Sequence, residues 1–227
     1  MLKPMKSTAN RVVRDVLERL DNSATTFILG ICGPPGAGKS YAAAAIRSVF
    51  ERAQVPTAVV PMDGFHLSNA QLALLGLAGV KGAPQTFDVA GLVNLLTSIR
   101  TRQPGDEILA PAYDRIVHEP VAARIRITGR TRLVIVEGNY LLLDRPGWRD
   151  IAGLLDASWY LDVPADLREQ RLVERHVAGG RPPEDACVWV ATVDRANAGL
   201  VAATRERATY ATDGTALTLE LSQVAQP

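Results

Sequence analysis

The 227-residue chain has only two cysteines, Cys32 and Cys187, and three histidines, His66, His118 and His176. The cysteines are far apart and neither residue type shows metal-ligand spacing, so neither a disulfide framework nor a zinc site is indicated. Both cysteines read as small hydrophobes. Lysine is scarce as well: Lys3, Lys6, Lys39 and Lys81 are the only ones, and none follows an asparagine. The chain therefore lacks the Asn-Lys-x-Asp guanine-reading motif of a GTPase switch. The string nearest to a transporter-ATPase signature, LSNAQ at 67–71, lacks both of its glycines. With a formal net charge of +1 and no long basic run, the electrostatic footprint of a nucleic-acid binder is missing. No apolar run reaches the roughly 18–20 residues needed to cross a bilayer, and the first residues hold no secretory apolar segment. The expectation is a cytoplasmic protein with neither nucleic acid nor membrane as a partner.

What is present begins with apolar content of 47%, enough for one good core and consistent with a single domain over 1–227. Val12, Val13, Val16, Leu17 and Leu20 recur at helical spacing, and Asp15, Glu18 and Asp21 argue against a transit peptide. TFILGIC, TAVVPMD, RLVIVEG and SWYLDVP read as strands, the first without alternation, as befits burial on both faces. Helices are expected over YAAAAIRSVFERA, DVAGLVNLLTSIR and ADLREQRLVERHVA, and through most of 184–208, with TALTLEL as a last strand. Strands alternating with helices predict an α/β fold: a mainly parallel sheet covered on both faces, binding ligands at the carboxyl ends of its strands.

GPPGAGKS, Gly33 to Ser40, fits G-x-x-x-x-G-K-[ST] in full and sits between an expected strand and an expected helix. Glycines let successive amides turn inward around phosphate oxygens while the helix directs its positive end at the same anion. A mere bend would need neither the lysine nor the hydroxyl. Lys39 would then reach the β- and γ-phosphates of a nucleotide, and Ser40 would coordinate magnesium. Cys32, beside this loop, reads as core.

Two carboxylates fall at the same sheet edge. Asp63 closes the second strand, where it either makes a turn before Gly64 or receives the proton of a hydroxyl attacking the γ-phosphorus. Glu137 closes the apolar run LVIVEG and either is an exposed strand end or holds magnesium or its water ligands.

GPPGAGKS, MDGFHLSN, KGAPQTFD, PAYDRIVHEP, VIVEGNYLLLD and YLDVPADLREQRLVERH occur in the order seen in the uridine kinase, phosphoribulokinase and bacterial pantothenate kinase superfamily. The chain resembles that superfamily over roughly residues 27–207, nearest its nucleoside/nucleotide kinase-like, fructose-transport-associated branch. The resemblance implies a P-loop three-layer sandwich with a helical lid at about 165–183, and ATP and Mg²⁺ as cofactors. It implies that Gly33, Pro34, Pro35, Gly36, Ala37, Gly38, Lys39, Ser40 and Tyr41 bind nucleotide, with Arg168 and Arg175 added from the lid. Asp63, Lys39 and Arg171 would be catalytic, and Ser40 and Glu137 would form the metal site. Asp63, His66, Lys81, Tyr113, Arg115 and His118 would meet the acceptor.

Arg168, Arg171 and Arg175 fall at i, i+3 and i+7, one helical face that either clamps phosphates or is a solvated surface paired with Glu169 and Glu174. Arg181, in GGRPP, could extend the clamp. Where uridine kinases carry Asp-His-Pro, this chain has Gly82-Ala83-Pro84 after Lys81, a pattern nearer to pantothenate kinases. Lys81 is either a contact for an anionic group or a solvated loop lysine. The reading reached is an ATP-dependent kinase acting on a hydroxyl of a small metabolite, with a homodimer left open. Its competitors are a regulatory P-loop ATPase and a nucleotide kinase.

Overall fold

The computed structural model describes residues 8–103 and 105–213. Helix α1 (Thr8–Asp21) leads into β1 (Phe27–Cys32), α2 (Lys39–Arg52) and β2 (Thr57–Pro61). A 3₁₀ turn over Met62–Phe65 precedes α3 (Asn69–Leu74) and α4 (Val89–Thr101). An antiparallel hairpin follows, β3 (Glu107–Asp114) and β4 (Glu119–Thr128), and then β5 (Leu133–Gly138), α5 (Trp148–Leu154) and β6 (Ala157–Asp162). The last elements are α6 (Ala165–Ala178), α7 (Pro183–Trp189), α8 (Arg195–Ala202) and β7 (Tyr210–Asp213), with a π-helical turn over Val190–Asp194 joining α7 to α8.

Five strands form one sheet in the order β2-β5-β1-β6-β7, every pairing parallel. All six residues of β1 and of β5 are buried, which accounts for their unbroken apolar sequence. The period of two is nonetheless there. Phe27, Leu29 and Ile31 of β1, with Leu133 and Ile135 of β5, pack under α1 and α2. Ile28 and Cys32, with Val134 and Val136, face α4, α5 and the hairpin. Each fully buried aliphatic side chain contributes about 1.5–3 kcal/mol, so a doubly covered strand is a strong anchor for whatever loop leaves its end.

Helix α1 buries Ala9, Val12, Val16 and Leu20, while Val13 and Leu17 are only partly covered on its flanks. Helix α4 starts where Asp88 caps it, its side chain accepting from the Gly91 amide. The expected strand TALTLEL lies outside the described residues; the sheet edge is formed by the shorter β7, paired in parallel with β6. The hairpin was not foreseen although Ile125 and Ile127 alternate with the exposed Arg124 and Arg126, because Pro111 and Pro120 lie inside the two runs and argue against strands. Among the described residues no helix is long and apolar enough to cross a membrane.

Candidate active site

The carboxyl ends of β1, β2 and β5 open onto one cleft, beside the central strand from which the chain order runs both ways across the sheet. From β1 the chain enters the glycine-rich loop. Gly36 and Gly38 have φ of 78° and 85°, values that turn the backbone into the left-handed region. A Cβ on Gly36 would lie 2.6 Å from the Arg168 carbonyl oxygen, so α6 packs against the loop too closely for any side chain there. The loop ends at the first turn of the 14-residue α2, whose free amides are not occupied by a side-chain cap.

Lys39 Nζ donates to the Pro34 carbonyl at 3.1 Å and to Asn139 Oδ1 at 2.6 Å. Burial lowers its pKa to about 8; the charge of Arg175 adds to the fall, while Glu137 and Asp63 oppose it. Ser40 Oγ donates to Glu137 Oε1 at 2.9 Å. Glu137 is only 7% exposed, and burial followed by the charge of Asp63 raises its pKa, against the pull of Lys39, Ser40 and Arg115. A buried carboxylate with a hydroxyl beside it, short of positive charge, is an oxygen pair suited to a hard divalent cation. Among the described residues no cluster of three His, Cys, Asp or Glu forms an all-protein metal cage. Such a cation would draw its other ligands from water and phosphate, as magnesium does.

Asp63 stands on the 3₁₀ turn that follows β2. Its side chain is about half exposed, and its charge acts on Lys39, Glu137, His66, Tyr113 and Tyr140, so it faces the same cleft. The turn is pinned from above. A Cβ on Gly64 would lie 2.5 Å from the Pro111 carbonyl, which is how the hairpin backbone reaches the residue beside Asp63.

The expected acceptor residues come together around the hairpin. Tyr113 OH donates to the His118 carbonyl at 2.8 Å, and Lys81 Nζ donates to that carbonyl at 2.8 Å and to Asn69 Oδ1 at 2.6 Å. His118 has φ of 55°, and what these bonds tie in is its carbonyl rather than its ring. Lys81 lies 5.2 Å from the Tyr113 ring centroid and within the influence of Glu119. It stitches α3 to the hairpin turn, so of the two alternatives neither solvated lysine nor free anion contact describes it as it stands. The charge of Arg115 reaches Glu137 and Tyr113.

The three arginines of α6 differ in what they touch. Arg168 donates through Nε to Val163 O at 2.9 Å and through Nη1 to Pro35 O at 3.3 Å, buttressing the loop from behind. Arg171 Nη1 reaches Gly36 O at 3.4 Å, and Arg175 acts on Lys39 through its charge. Among the described residues none of the three is ion-paired with a carboxylate; Glu169 is taken by Arg195 instead, at 2.9 Å. Arg181 stacks 4.1 Å from the Trp189 ring centroid. Tyr41 is 57% exposed at the start of α2. Cys32 is buried, with its thiol pushed up to about 12, and is inert.

Asn139 is the residue that sequence reasoning passed over. It directly follows β5, two residues beyond Glu137, and its position next to a strand end at the mouth was the available signal.

Over residues 28–189 the chain matches the phosphoribulokinase / uridine kinase family, and it belongs to that family of P-loop kinases. A solved structure described as a "putative fructose transport system kinase" from Silicibacter sp. TM1040 superimposes with a TM-score of 0.82 at 35% identity, covering 90% of this chain and 98% of that one. The Escherichia coli protein YggC, itself uncharacterized, is 37% identical over 78% of this chain and 73% of its own length. A Schizosaccharomyces pombe protein named as a "putative uridine kinase", C227.14, is 33% identical over 67% of each chain.

Proposed function

We propose that this protein transfers the γ-phosphoryl group of ATP to a hydroxyl of a small metabolite. The observation that carries the reading is the pairing of two features. A phosphate-binding loop holds its lysine ready, and a half-exposed carboxylate, Asp63, shares the cleft with that lysine and with Glu137. A hydroxyl acceptor needs a group to take its proton, whereas a phosphate acceptor does not.

In this account the loop amides and the first turn of α2 receive the phosphate oxygens. Lys39 exchanges its Pro34 and Asn139 partners for phosphate oxygens, and Arg171 and Arg175 offset charge on the transferring group. Asp63 accepts the hydroxyl proton while the hydroxyl oxygen bonds to the γ-phosphorus and the bond to the β-γ bridging oxygen breaks, releasing ADP. Ser40 and Glu137 would hold a magnesium ion, which would supply positive charge to offset that of the phosphates. The partner is thus a small molecule rather than a macromolecule.

The test is ADP formation from Mg-ATP by purified protein against pantothenate, uridine, cytidine, fructose and other sugars. Release that depends on one added alcohol supports the reading. Slow hydrolysis indifferent to every addition would instead mark a regulatory ATPase.

A further inference from the structure

Beyond α6 the chain turns a polar face inward that phosphate binding and proton transfer leave unused. Helix α8 is entered through the π-helical turn Val190–Asp194. A π turn takes up one residue more than an α turn, which rotates the following helix by about 100°, and such turns recur at functional sites. Asp194 and Asn197, three residues apart, lie on one face. Both are nearly buried, Asn197 at 4% exposure. Asp194 Oδ2 meets His176 Nε2 at 2.8 Å, tying α8 to α6, while its Oδ1 has no hydrogen-bond partner among the described residues. The Asn197 amide has none either. The described side-chain atoms that are sealed from solvent without a partner are His66 Nδ1, Arg102 Nη1 and Arg132 Nε, so what little of Asn197 stays open is its amide. A leucine would fill the same space without leaving polar atoms unpaired, and unpaired amides this deep are rare enough to require an explanation.

The amide borders the acceptor side of the cleft. A Cβ on Gly82 would have Asn197 Nδ2 as its one neighbour, at 3.9 Å. Gly82 directly follows Lys81; its carbonyl accepts from Tyr140 OH at 2.7 Å and its amide donates to Thr86 Oγ1 at 3.0 Å. Burial, then the charges of Asp194 and Asp63, raise the pKa of that tyrosine, with Arg145 opposing. Tyr140 therefore feels both carboxylates, Asp63 in the cleft and Asp194 on the turn into α8. Among them the Asn197 amide supplies donors and an acceptor, and the unpaired Asp194 oxygen supplies a second acceptor. A hydroxyl, which both donates and accepts, matches this set. A carboxylate or phosphate would meet Asp194 as a like charge.

We propose that Asn197 contacts the phosphoryl acceptor at the end remote from the reacting hydroxyl, and that with Asp194 it selects an uncharged, hydroxyl-bearing end over an anionic one. The inference rests on the alcohol phosphotransfer proposed above and narrows its acceptor to neutral polyhydroxy compounds.

The experiment measures ADP formation with two matched sets of probes whose reacting ends are alike and whose far ends carry a hydroxyl, a methyl or a carboxylate: panthenol, N-propylpantoamide and pantothenate; ribitol, 1-deoxyribitol and ribonate. Wild-type protein, Asn197→Leu and Asn197→Asp are compared, with the melting temperature and nucleotide affinity of each. In at least one set the wild-type protein should prefer the hydroxyl end roughly three- to tenfold in kcat/KM, as for one neutral hydrogen bond. Asn197→Leu should erase that preference, the loss falling on KM rather than kcat, with nucleotide affinity unchanged and a melting temperature that holds or rises. Should the leucine variant melt lower, the isosteric Asn197→Asp decides: its second carboxylate should deepen the rejection of the carboxylate probe by roughly tenfold. Equal use of all three far ends, a preference for the carboxylate, or variants that keep the wild-type ranking would overturn the inference while leaving alcohol phosphotransfer standing. If no probe raises ADP formation above bare hydrolysis, the inference falls together with the proposed function.

Discussion

Between Gly33 and Ser40 the groups suited to an anion are main-chain amides and one lysine, supplied by eight consecutive residues that leave the end of the fully buried β1. Across the cleft, Asp63, His66, Lys81, Tyr113 and the His118 carbonyl arrive from a 3₁₀ turn, two loops and a hairpin, and they meet through side chains. The first half is fixed by backbone geometry and changes little with the identity of its neighbours. The second depends on how separate segments are stitched together, by Lys81 to Asn69 and by the Gly64–Pro111 approach. A cleft built this way can keep its phosphate chemistry constant while the acceptor side varies, since fold and site are separable.

The contrast can be broken at its sharpest point by replacing Asp63 with Asn. Turnover should fall by about 10² to 10⁴, the usual range for a lost general base, with nucleotide binding retained. Single-turnover kinetics alongside nucleotide titration would show whether the two halves separate in this way.

On the phosphate side, Gly36→Ala and Gly38→Ala should differ although both have positive φ. A methyl on Gly36 meets the Arg168 carbonyl, whereas one on Gly38 meets nothing within 4 Å. Gly38→Ala carries only the left-handed penalty, about 1–2 kcal/mol, and Gly36→Ala should lose more, with nucleotide affinity falling as α6 is pushed away. Thermal melts and nucleotide titrations of the pair would rank them.

The loop lysine also makes a pH prediction. Lys39 has its pKa lowered to about 8 by burial, and a bound phosphate would raise it again. Below that value the lysine is already charged and affinity should be flat with pH. Above it, binding must draw a proton from solvent, so affinity should decline as pH rises from 8 toward 10. Titrations across pH 7–10, with a Lys39→Met control that loses the slope, would check the sign.

The smallest effect is expected on the acceptor side. Lys81→Ala removes two hydrogen bonds from a partly exposed ammonium and should cost about 1 kcal/mol or less in stability. KM for the acceptor should rise as the hairpin loosens, with nucleotide affinity unchanged. Equal damage to both would mean the two halves are coupled more tightly than their contacts suggest.

The same division explains how much could be read from the sequence. The glycine loop was legible because its chemistry is contiguous and its flanking strand and helix have clear apolar patterns. Glu137 was legible as a strand end; Asp63, expected to close the second strand, lies two residues past it on the 3₁₀ turn. The roles of the surrounding side chains were not, because they arise from contacts across long separations: Asn139 with Lys39, His66 with Phe87, Arg168 with Pro35. The hairpin escaped notice since a proline interrupts each of its strands, and β7 because four residues carry almost no period. The even spacing of Arg168, Arg171 and Arg175 suggested one shared task. Packing also makes Arg168 a brace behind the loop.

The most direct test is the fate of the γ-phosphorus. Wild-type protein, Mg-ATP and an acceptor that stimulates ADP release should give a new phosphomonoester resonance by ³¹P NMR, one equivalent per ADP formed. Inorganic phosphate as the sole phosphorus product beside ADP, whatever alcohol is supplied, would contradict phosphoryl transfer to a hydroxyl.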